Sequence, residues 1–175
     1  MIVQRRHNSL AGSFDRTSQD ILDSVNAGIA NFNATNVIIT GHSLGAAIGL
    51  LDTVFLANKL NPSINIRSVG FGLPRVGNKE WADFVDKTVQ DRKIDFEFFV
   101  NGNDPVPRVP PVALGFQHPS GEIFQTDENG SIETVRCPGQ ENENCLASSS
   151  LLEADIQDHD GPYAGVGLGS DFCTL

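Results

Sequence analysis

One stretch of the sequence limits the possible folds of this chain more than any other. The β-branched residues 37–39 are followed by Gly-His-Ser-Leu-Gly at positions 41–45 and then by a small, apolar segment. This order is typical of a short buried strand, a tight turn and the start of a helix. Because so sharp a turn strains the backbone of Ser43, side chains two positions away on either side are expected to collide. Gly41 and Gly45 are therefore predicted to keep this elbow open.

The pattern Gly-x-Ser-x-Gly at such a turn predicts a nucleophilic serine. In this arrangement, which is called a nucleophile elbow, the hydroxyl of Ser43 stands clear of an α/β sheet. The N-terminus of the following helix then points towards the place where negative charge would develop on a substrate. The alternative is an ordinary strand-to-helix turn in which Ser43 only caps the helix.

The length and composition are those of one globular domain. A chain of 175 residues with 39% hydrophobic residues can bury a core of its own, so we expect a single domain over residues 1–175. The net charge of −10 argues against nucleic acid as a partner, since phosphate-binding sites need clustered Lys and Arg. No apolar run approaches the roughly 20 residues of a transmembrane helix.

Three cysteines and two glycosylation sequons bear on the cellular compartment. Cys137 and Cys145 enclose a short polar loop and look like a disulfide staple, which leaves Cys173 without a partner in the chain. The sequons at Asn33 and Asn129 weakly favour secretion. The N-terminal residues, however, lack the apolar segment of a signal peptide. The alternative is that all three thiols are reduced in a cytosolic protein.

Strands and helices alternate over the first hundred residues. The predicted elements are a helix at 15–32, the elbow strand, a helix ending near Leu60, a strand at 66–72, a helix capped by Asn78 and a strand at 95–101. The apolar face of the first helix is Ile21, Leu22, Val25, Ile29 and Phe32. Such alternation predicts a mostly parallel sheet with helices on its faces. Functional groups gather at the carboxyl ends of the strands in such sheets, where residues 41–44 and 102–104 lie.

Beyond Asp104 the pattern is different. Prolines at 105, 107, 110 and 111 exclude a regular element there. A hairpin is predicted over 122–126 and 131–136, across the turn 127–130. The glycine-rich C-terminal tail is predicted to be irregular.

A catalytic triad would make Ser43 reactive, because a serine needs a histidine base that a carboxylate holds in the correct tautomer. In α/β-hydrolases the chain order is Ser, then Asp or Glu, then His, and only His118 and His159 follow Ser43. Asp104 comes just after a predicted strand end, where the acid would project, although Asn-Asp-Pro is also typical of a simple turn. His159 lies in a loop that could reach over the site, whereas His118 leads into the hairpin. His42, within the elbow, is expected to be a packed or surface residue.

The sequence resembles the fungal class 3 lipases, the group of filamentous-fungus triacylglycerol lipases and feruloyl esterases. The matching segments follow the family's order over nearly the whole chain. They are Gly-His-Ser-Leu-Gly-Ala-Ala at 41–47, Gly-Leu-Pro-Arg-Val-Gly-Asn at 72–78, Asn-Asp-Pro-Val-Pro-Arg-Val-Pro-Pro at 103–111, Cys-Pro-Gly-Gln-Glu-Asn at 137–142 and Asp-His-Asp-Gly-Pro-Tyr at 158–163.

This resemblance implies an α/β-hydrolase fold, with a mostly parallel sheet and flanking helices, and it implies roles for several residues. By resemblance, Ser43 is the nucleophile, Asp104 the orienting acid and His159 the base. The backbone amide of Leu44 is one donor of the oxyanion hole.

The implied activity is hydrolysis of carboxylic esters, above all triacylglycerols, through an acyl-enzyme. The alternatives are a feruloyl or short-chain carboxylesterase and a remnant without turnover. The substrate would be an ester or lipid, taken up at a lipid–water interface, and no metal or cofactor is implied. The resemblance also implies a secreted, extracellular enzyme with a disulfide between Cys137 and Cys145.

Family members carry a long segment before the point that corresponds to the start of this chain. That segment holds early strands, the lid, the first oxyanion donor and the cysteine that pairs with the C-terminal one. We therefore expect the N-terminal strands and lid to be missing here and Cys173 to lack its partner. Losing one oxyanion donor costs about 10²–10³-fold in kcat, and an exposed edge on the elbow strand invites aggregation. A truncated, weakly active and weakly stable lipase is the expectation.

Overall fold

The fold is built around a five-stranded sheet. The computed structural model describes residues 8–128, 131–148 and 151–168. Its helices are α1 (Asn8–Phe32), α2 (Leu44–Lys59) and α3 (Lys79–Arg92). Its strands are β1 (Asn36–His42), β2 (Asn65–Phe71), β3 (Gly77–Asn78), β4 (Asp95–Asn101), β5 (Phe116–Gln117), β6 (Glu122–Glu128) and β7 (Ser131–Arg136). Short 3-10 helices lie in the later loops, at Val106–Arg108, Val112–Leu114, Leu146–Ser148, Leu151–Glu153 and Ile156–Asp160.

Four parallel strands and one antiparallel strand form the sheet, in the order β1-β2-β4-β6-β7. Neighbours pair in parallel from β1 to β6, and β7 pairs with β6 as an antiparallel hairpin. The predicted mostly parallel sheet is therefore confirmed. The carboxyl ends of β1 and β2 are level, because Gly41 pairs with Gly70 and His42 with Phe71. The turn after β1 therefore lies beside the loop that follows β2.

Helix α2 lies close to the sheet because its first turn is small. Ala46 and Ala47 are 3% and 0% exposed. A Cβ placed on Gly70 of β2 would lie only 3.4 Å from the Cβ of Ala46. Farther along the helix, Leu50 is buried in the same core as Phe98 of β4. The elbow is therefore followed directly by a helix whose residues Ala46, Ala47 and Leu50 are buried in the core.

Helix α1 begins earlier than the sequence predicts, at Asn8 instead of residue 15. The apolar residues that it packs against the core include Phe14, Ile21, Leu22, Val25 and Ile29. The sequence places Phe32 on the same face, but this side chain is 81% exposed. That prediction is wrong because Phe32 is the last residue of the helix and lies beyond the packed face.

Asn78 caps α3, as the sequence predicts. Its side-chain oxygen accepts a hydrogen bond from the backbone amide of Trp81 at 3.2 Å. Trp81 and Val85 are buried, so the capped helix covers the sheet with its apolar face. The strand that follows is β4, which ends at Asn101 as the sequence predicts.

The first strand of the hairpin is longer than the sequence predicts, because β6 continues to Glu128, whereas β7 has the predicted bounds, Ser131–Arg136. Residues 129–130 between them lie outside the described residues, and so does the sequon at Asn129. The predictions for the N-terminal residues 1–7 and for Cys173 also concern residues outside the described part of the chain. None of the helices in the described part of the chain has the length and apolar character needed to cross a membrane.

Candidate active site

Ser43 lies at the sharp turn between β1 and α2 and has a strained backbone. Its φ of 56° and ψ of −126° are rare for an L-residue, and such conformations cost about 1–3 kcal/mol. The turn is fixed because the amide of Ser43 donates to the carbonyl of Phe71, the last residue of β2, at 2.9 Å. The carbonyl of Ser43 accepts from the amides of Ala46 and Ala47. This geometry is a strand–turn–helix elbow.

The side chain of Ser43 does not cap the helix. It makes no hydrogen bond to the amides of the first turn of α2, as a capping serine would. Ser43 is also partly exposed. The alternative in which this serine only caps the helix is therefore wrong.

The two glycines of the elbow differ in how much the fold requires them. A Cβ on Gly41 would lie 2.5 Å from the carbonyl carbon of Gly45 and 2.7 Å from the nitrogen of Ala46, which is closer than real Cβ atoms approach. A Cβ on Gly45 would meet no heavy atom within 4 Å outside its own helix and chain neighbours. The collision expected at Gly45 is therefore absent, because the helix turns this residue into open space.

Asp104 is fully buried in the turn after β4, and its carboxylate is held by three donors. Oδ1 accepts from the amide of Val106 at 2.8 Å. Oδ2 accepts from Nδ1 of His159 at 2.9 Å and from the hydroxyl of Tyr163 at 3.3 Å. Asp104 is thus a turn residue, as one alternative held, and it also contacts a histidine that is 55 positions away in the chain.

His159 lies in a short 3-10 helix and is only 9% exposed. Because a carboxylate can only accept, Nδ1 of His159 carries the proton shared with Asp104, and Nε2 of the neutral ring carries the lone pair. The ring packs against Gly72, where a Cβ would come within 2.8 Å of it. The ring of His42 packs against the same ring in a tilted arrangement, with 4.4 Å between centroids. The structure therefore brings His159 next to Asp104 and next to the segment that carries Ser43.

Tyr163 contacts this site, although the sequence gives it no role. Its hydroxyl lies 3.3 Å from Oδ2 of Asp104 and 3.2 Å from the carbonyl oxygen of His159, and the residue is 3% exposed. Burial, together with the negative charge of Asp104, raises the pKa of Tyr163 far above its ordinary value. The phenol therefore stays protonated and can donate. Its only signal in the sequence is its place within the segment 158–163.

Buried amide side chains fasten the loop of His159 to the sheet. Gln125 of β6 is 0% exposed, donates to the carbonyl of Pro162 at 2.6 Å and accepts from the amide of Ala164 at 2.8 Å. Asn101 at the end of β4 donates to the carbonyl of Asp158 at 3.0 Å. The loop is thereby held beside the carboxyl end of β4, where Asn101 pairs with Gln125 and where the sequence predicts functional groups to gather.

His118 is part of the core. It is 1% exposed, and its ring stacks on Phe98 with 4.8 Å between centroids. Nε2 donates to the carbonyl of Pro107 at 2.8 Å. Burial lowers the pKa of His118 to about 4, so the ring stays neutral at ordinary pH. A packed, neutral histidine with these partners does not serve as the base.

A buried ion pair joins three of the segments that carry the resemblance. Arg75, which is 5% exposed, donates from Nε and Nη2 to the two carboxylate oxygens of Glu141 at 2.7 and 2.8 Å. Its Nη1 donates to the carbonyls of Arg108 and Pro110, in the loop after Asp104. The guanidinium therefore connects the loop after β2, the loop after Asp104 and the cysteine loop between Cys137 and Cys145.

The disulfide between Cys137 and Cys145 is present, so the reduced-thiol alternative is wrong for this pair. Within residues 8–128, 131–148 and 151–168, these two sulfurs and Glu122 form a group close enough to share a metal ion. Bonded cysteines offer no thiolate ligand, and burial raises the pKa of Glu122 to about 7. This group is therefore unsuited to holding a metal.

A parallel sheet with a serine elbow after one strand, an aspartate after a later strand and a histidine in a final loop is the arrangement of the α/β-hydrolases. Comparison with known proteins agrees with this class. A sequence model of the family described as lipase (class 3) matches residues 4–114. The chain belongs to the class 3 lipase family.

Several relatives are similar over most of this chain. A secreted mono- and diacylglycerol lipase of Malassezia globosa is 40% identical over 151 residues, which make up 86% of this chain and 48% of that protein. The Rhizomucor miehei lipase in its propeptide complex gives a TM-score of 0.81 at 28% identity, over 96% of this chain and 53% of that one. A triacylglycerol lipase whose catalytic centre is a serine protease triad gives 0.82 at 27% identity, over 99% and 63%.

The chain spans about half the length of the curated relatives it matches. Those relatives are secreted lipases, and by this family resemblance the chain is a secreted protein. The disulfide is consistent with such a compartment.

Proposed function

We propose that this chain hydrolyses acylglycerol esters through an acyl-enzyme formed on Ser43. The observation that carries the proposal is the 2.9 Å hydrogen bond between His159 and the buried Asp104, next to a serine in a strained elbow. The substrate class is supported by similarity to proteins named as mono- and diacylglycerol lipases and as a triacylglycerol lipase.

In the proposed reaction, Oγ of Ser43 attacks the carbonyl carbon of the ester while Nε2 of His159 takes the serine proton. Asp104 keeps its hydrogen bond to Nδ1 and stabilises the imidazolium. His159 then gives the proton to the leaving alcohol, the ester C–O bond breaks, and the acyl group remains on Ser43. Water attacks this acyl-enzyme in the same way, with His159 taking a proton from water and returning it to Ser43 as the fatty acid leaves.

The backbone amide of Leu44 is proposed to stabilise the negative oxygen of the tetrahedral intermediate. Leu44 is the first residue of α2, so the helix itself offers no carbonyl to this amide. The positive end of the helix dipole also favours a negative charge there. One such donor is worth about 10²–10³-fold in kcat.

The substrate is proposed to arrive from a lipid–water interface. Large apolar side chains are exposed on the segments that lead into the site, namely the first turn of α2, the loop after Asp104 and the loop before His159. They are Leu44, Val109, Val112, Leu114 and Ile156. Exposed apolar surface of this kind is typical of sites that contact lipid.

Hydrolysis of p-nitrophenyl butyrate and of tributyrin by the purified chain tests the proposal. Turnover is expected for the parent and for Ser63→Ala, a matched control at an exposed serine before β2, and it should fall to background for Ser43→Ala. A fluorophosphonate label is expected on the peptide that contains Ser43. If the parent neither turns over the esters nor takes the label, the proposal is wrong for this chain and the remnant interpretation replaces it.

A further inference from the structure

His42 makes a hydrogen bond that connects the serine elbow to the loop of the histidine. Its Nε2 lies 2.7 Å from the carbonyl oxygen of His159, 117 positions later in the chain. Because a carbonyl oxygen can only accept, Nε2 of His42 carries the proton and donates. The two imidazole rings are also in contact in a tilted arrangement, with centroids 4.4 Å apart and planes inclined by 33°.

This contact restrains His159 itself, whereas Gln125 and Asn101 fasten the neighbouring residues Pro162 and Asp158 of the same loop. His159 lies in a 3-10 helix outside the sheet. Hydrogen bonds between strands therefore do not fix the distance from His159 to Ser43. Asp104 restrains the ring at Nδ1. Tyr163 reaches the same carbonyl at 3.2 Å, but it shares its single proton with Asp104. His42 thus donates to the carbonyl of His159 and is also the residue directly before Ser43 in the chain.

We propose that His42 is a positioning residue for His159, an inference that rests on the proposed function. The donor at Nε2 holds the main chain of His159 and thereby sets the distance from Nε2 of His159 to the hydroxyl of Ser43. A displacement of about 1 Å between a base and its nucleophile can cost about 10²-fold in rate.

Three substitutions separate the hydrogen bond from the packing. His42→Gln keeps an N–H donor near the position of Nε2 but removes the ring. His42→Met has a similar length and no donor, and His42→Phe keeps a ring and has no donor. The Met and Phe variants are expected to lose about 10- to 100-fold in kcat for p-nitrophenyl butyrate, with KM within about twofold of the parent. His42→Gln should stay within about threefold of the parent in kcat.

A second readout does not depend on turnover. The Nδ1 proton of His159, which is shared with Asp104, can be followed by NMR in a ¹⁵N-labelled sample. We expect its signal to move or broaden in the Met and Phe variants and to be kept in His42→Gln. Two folding-competent variants, one with and one without a donor, are sufficient for this comparison.

Each outcome decides the question. Unchanged kcat and an unchanged Nδ1 signal in the variants without a donor would overturn the positioning role, and so would a loss in His42→Gln as large as in His42→Met. If the parent itself neither turns over the ester nor reacts with the fluorophosphonate, the proposed function has failed. The NMR comparison then still reports whether His42 positions His159.

Discussion

The phenol oxygen of Tyr163 lies 3.3 Å from Oδ2 of Asp104, the carboxylate oxygen that also holds His159. Tyr163→Phe keeps the buried ring against Phe71 and removes only this donor. A hydrogen bond to a charged group is worth about 1.5 kcal/mol or more, so kcat is expected to fall about tenfold with little change in KM. Steady-state kinetics with p-nitrophenyl butyrate measure this. Parent-like kcat in a folded Tyr163→Phe would show that the contact has no part in catalysis.

Glu141 is expected to matter for stability because it is the carboxylate partner of a buried arginine. Glu141→Ala would leave the Arg75 guanidinium buried and unpaired, which costs about 3–5 kcal/mol. For a chain of this size the melting temperature should drop by at least about 6 °C. Glu143→Ala, at an exposed position of the same cysteine loop, is the matched control and should melt like the parent. Similar melting temperatures for the two variants would contradict this prediction.

The unequal space at the elbow glycines gives opposite predictions for two alanine substitutions. Gly41→Ala would force a Cβ into the backbone of Gly45, so we expect a displaced elbow and a loss of about 10²-fold or more in kcat. Gly45→Ala meets open space within a helix, where alanine is favoured over glycine by up to about 1 kcal/mol. Thermal unfolding and kinetics of both variants check this. Equal losses in the two would show that sterics at Gly45 also matter.

Glu122 is expected to make stability depend on pH. Burial raises its pKa from 4.5 to about 7, so the folded chain retains a proton that the unfolded chain loses between these values. The folded state binds more protons in that window, and the free energy of unfolding therefore falls as pH rises, by up to about 3 kcal/mol. Glu122→Gln keeps an acceptor for the amide of Leu146 and removes the charge, so it should abolish this contribution.

Urea unfolding of the parent and Glu122→Gln at pH 5 and pH 8 measures that effect. Asp52, whose pKa burial raises to about 6, contributes with the same sign, and His118, whose pKa is lowered to about 4, contributes with the opposite sign. Both groups are present in both proteins, so the difference between the proteins isolates Glu122. The advantage of the variant should be larger at pH 8, and an equal difference at both pH values would exclude a buried, shifted Glu122.

Local features of this fold could be predicted from the sequence, whereas contacts between distant segments could not. Strand β4 and the Asn78 cap depend on a few neighbouring residues, and both are where the sequence places them. The spacing alone left His118 and His159 open as bases, and they are separated by the burial of His118 against Phe98 and by the hydrogen bond from His159 to Asp104. The contacts of His42 and Tyr163 join residues 117 and 59 positions apart, and no local pattern encodes them.

The placement of Glu141 inside the ring closed by Cys137 and Cys145 has a consequence for how the chain is produced. Glu141 neutralises Arg75, which in turn holds carbonyls of the loop after Asp104. In the cytoplasm of an ordinary expression host the thiols stay reduced, and the short ring would lose its covalent closure while the guanidinium stays buried. A host compartment that oxidises thiols, such as the bacterial periplasm or a yeast secretory pathway, would close the ring between Cys137 and Cys145. Through Glu141 and Arg75 it would thus also fix the conformation of the loop after Asp104.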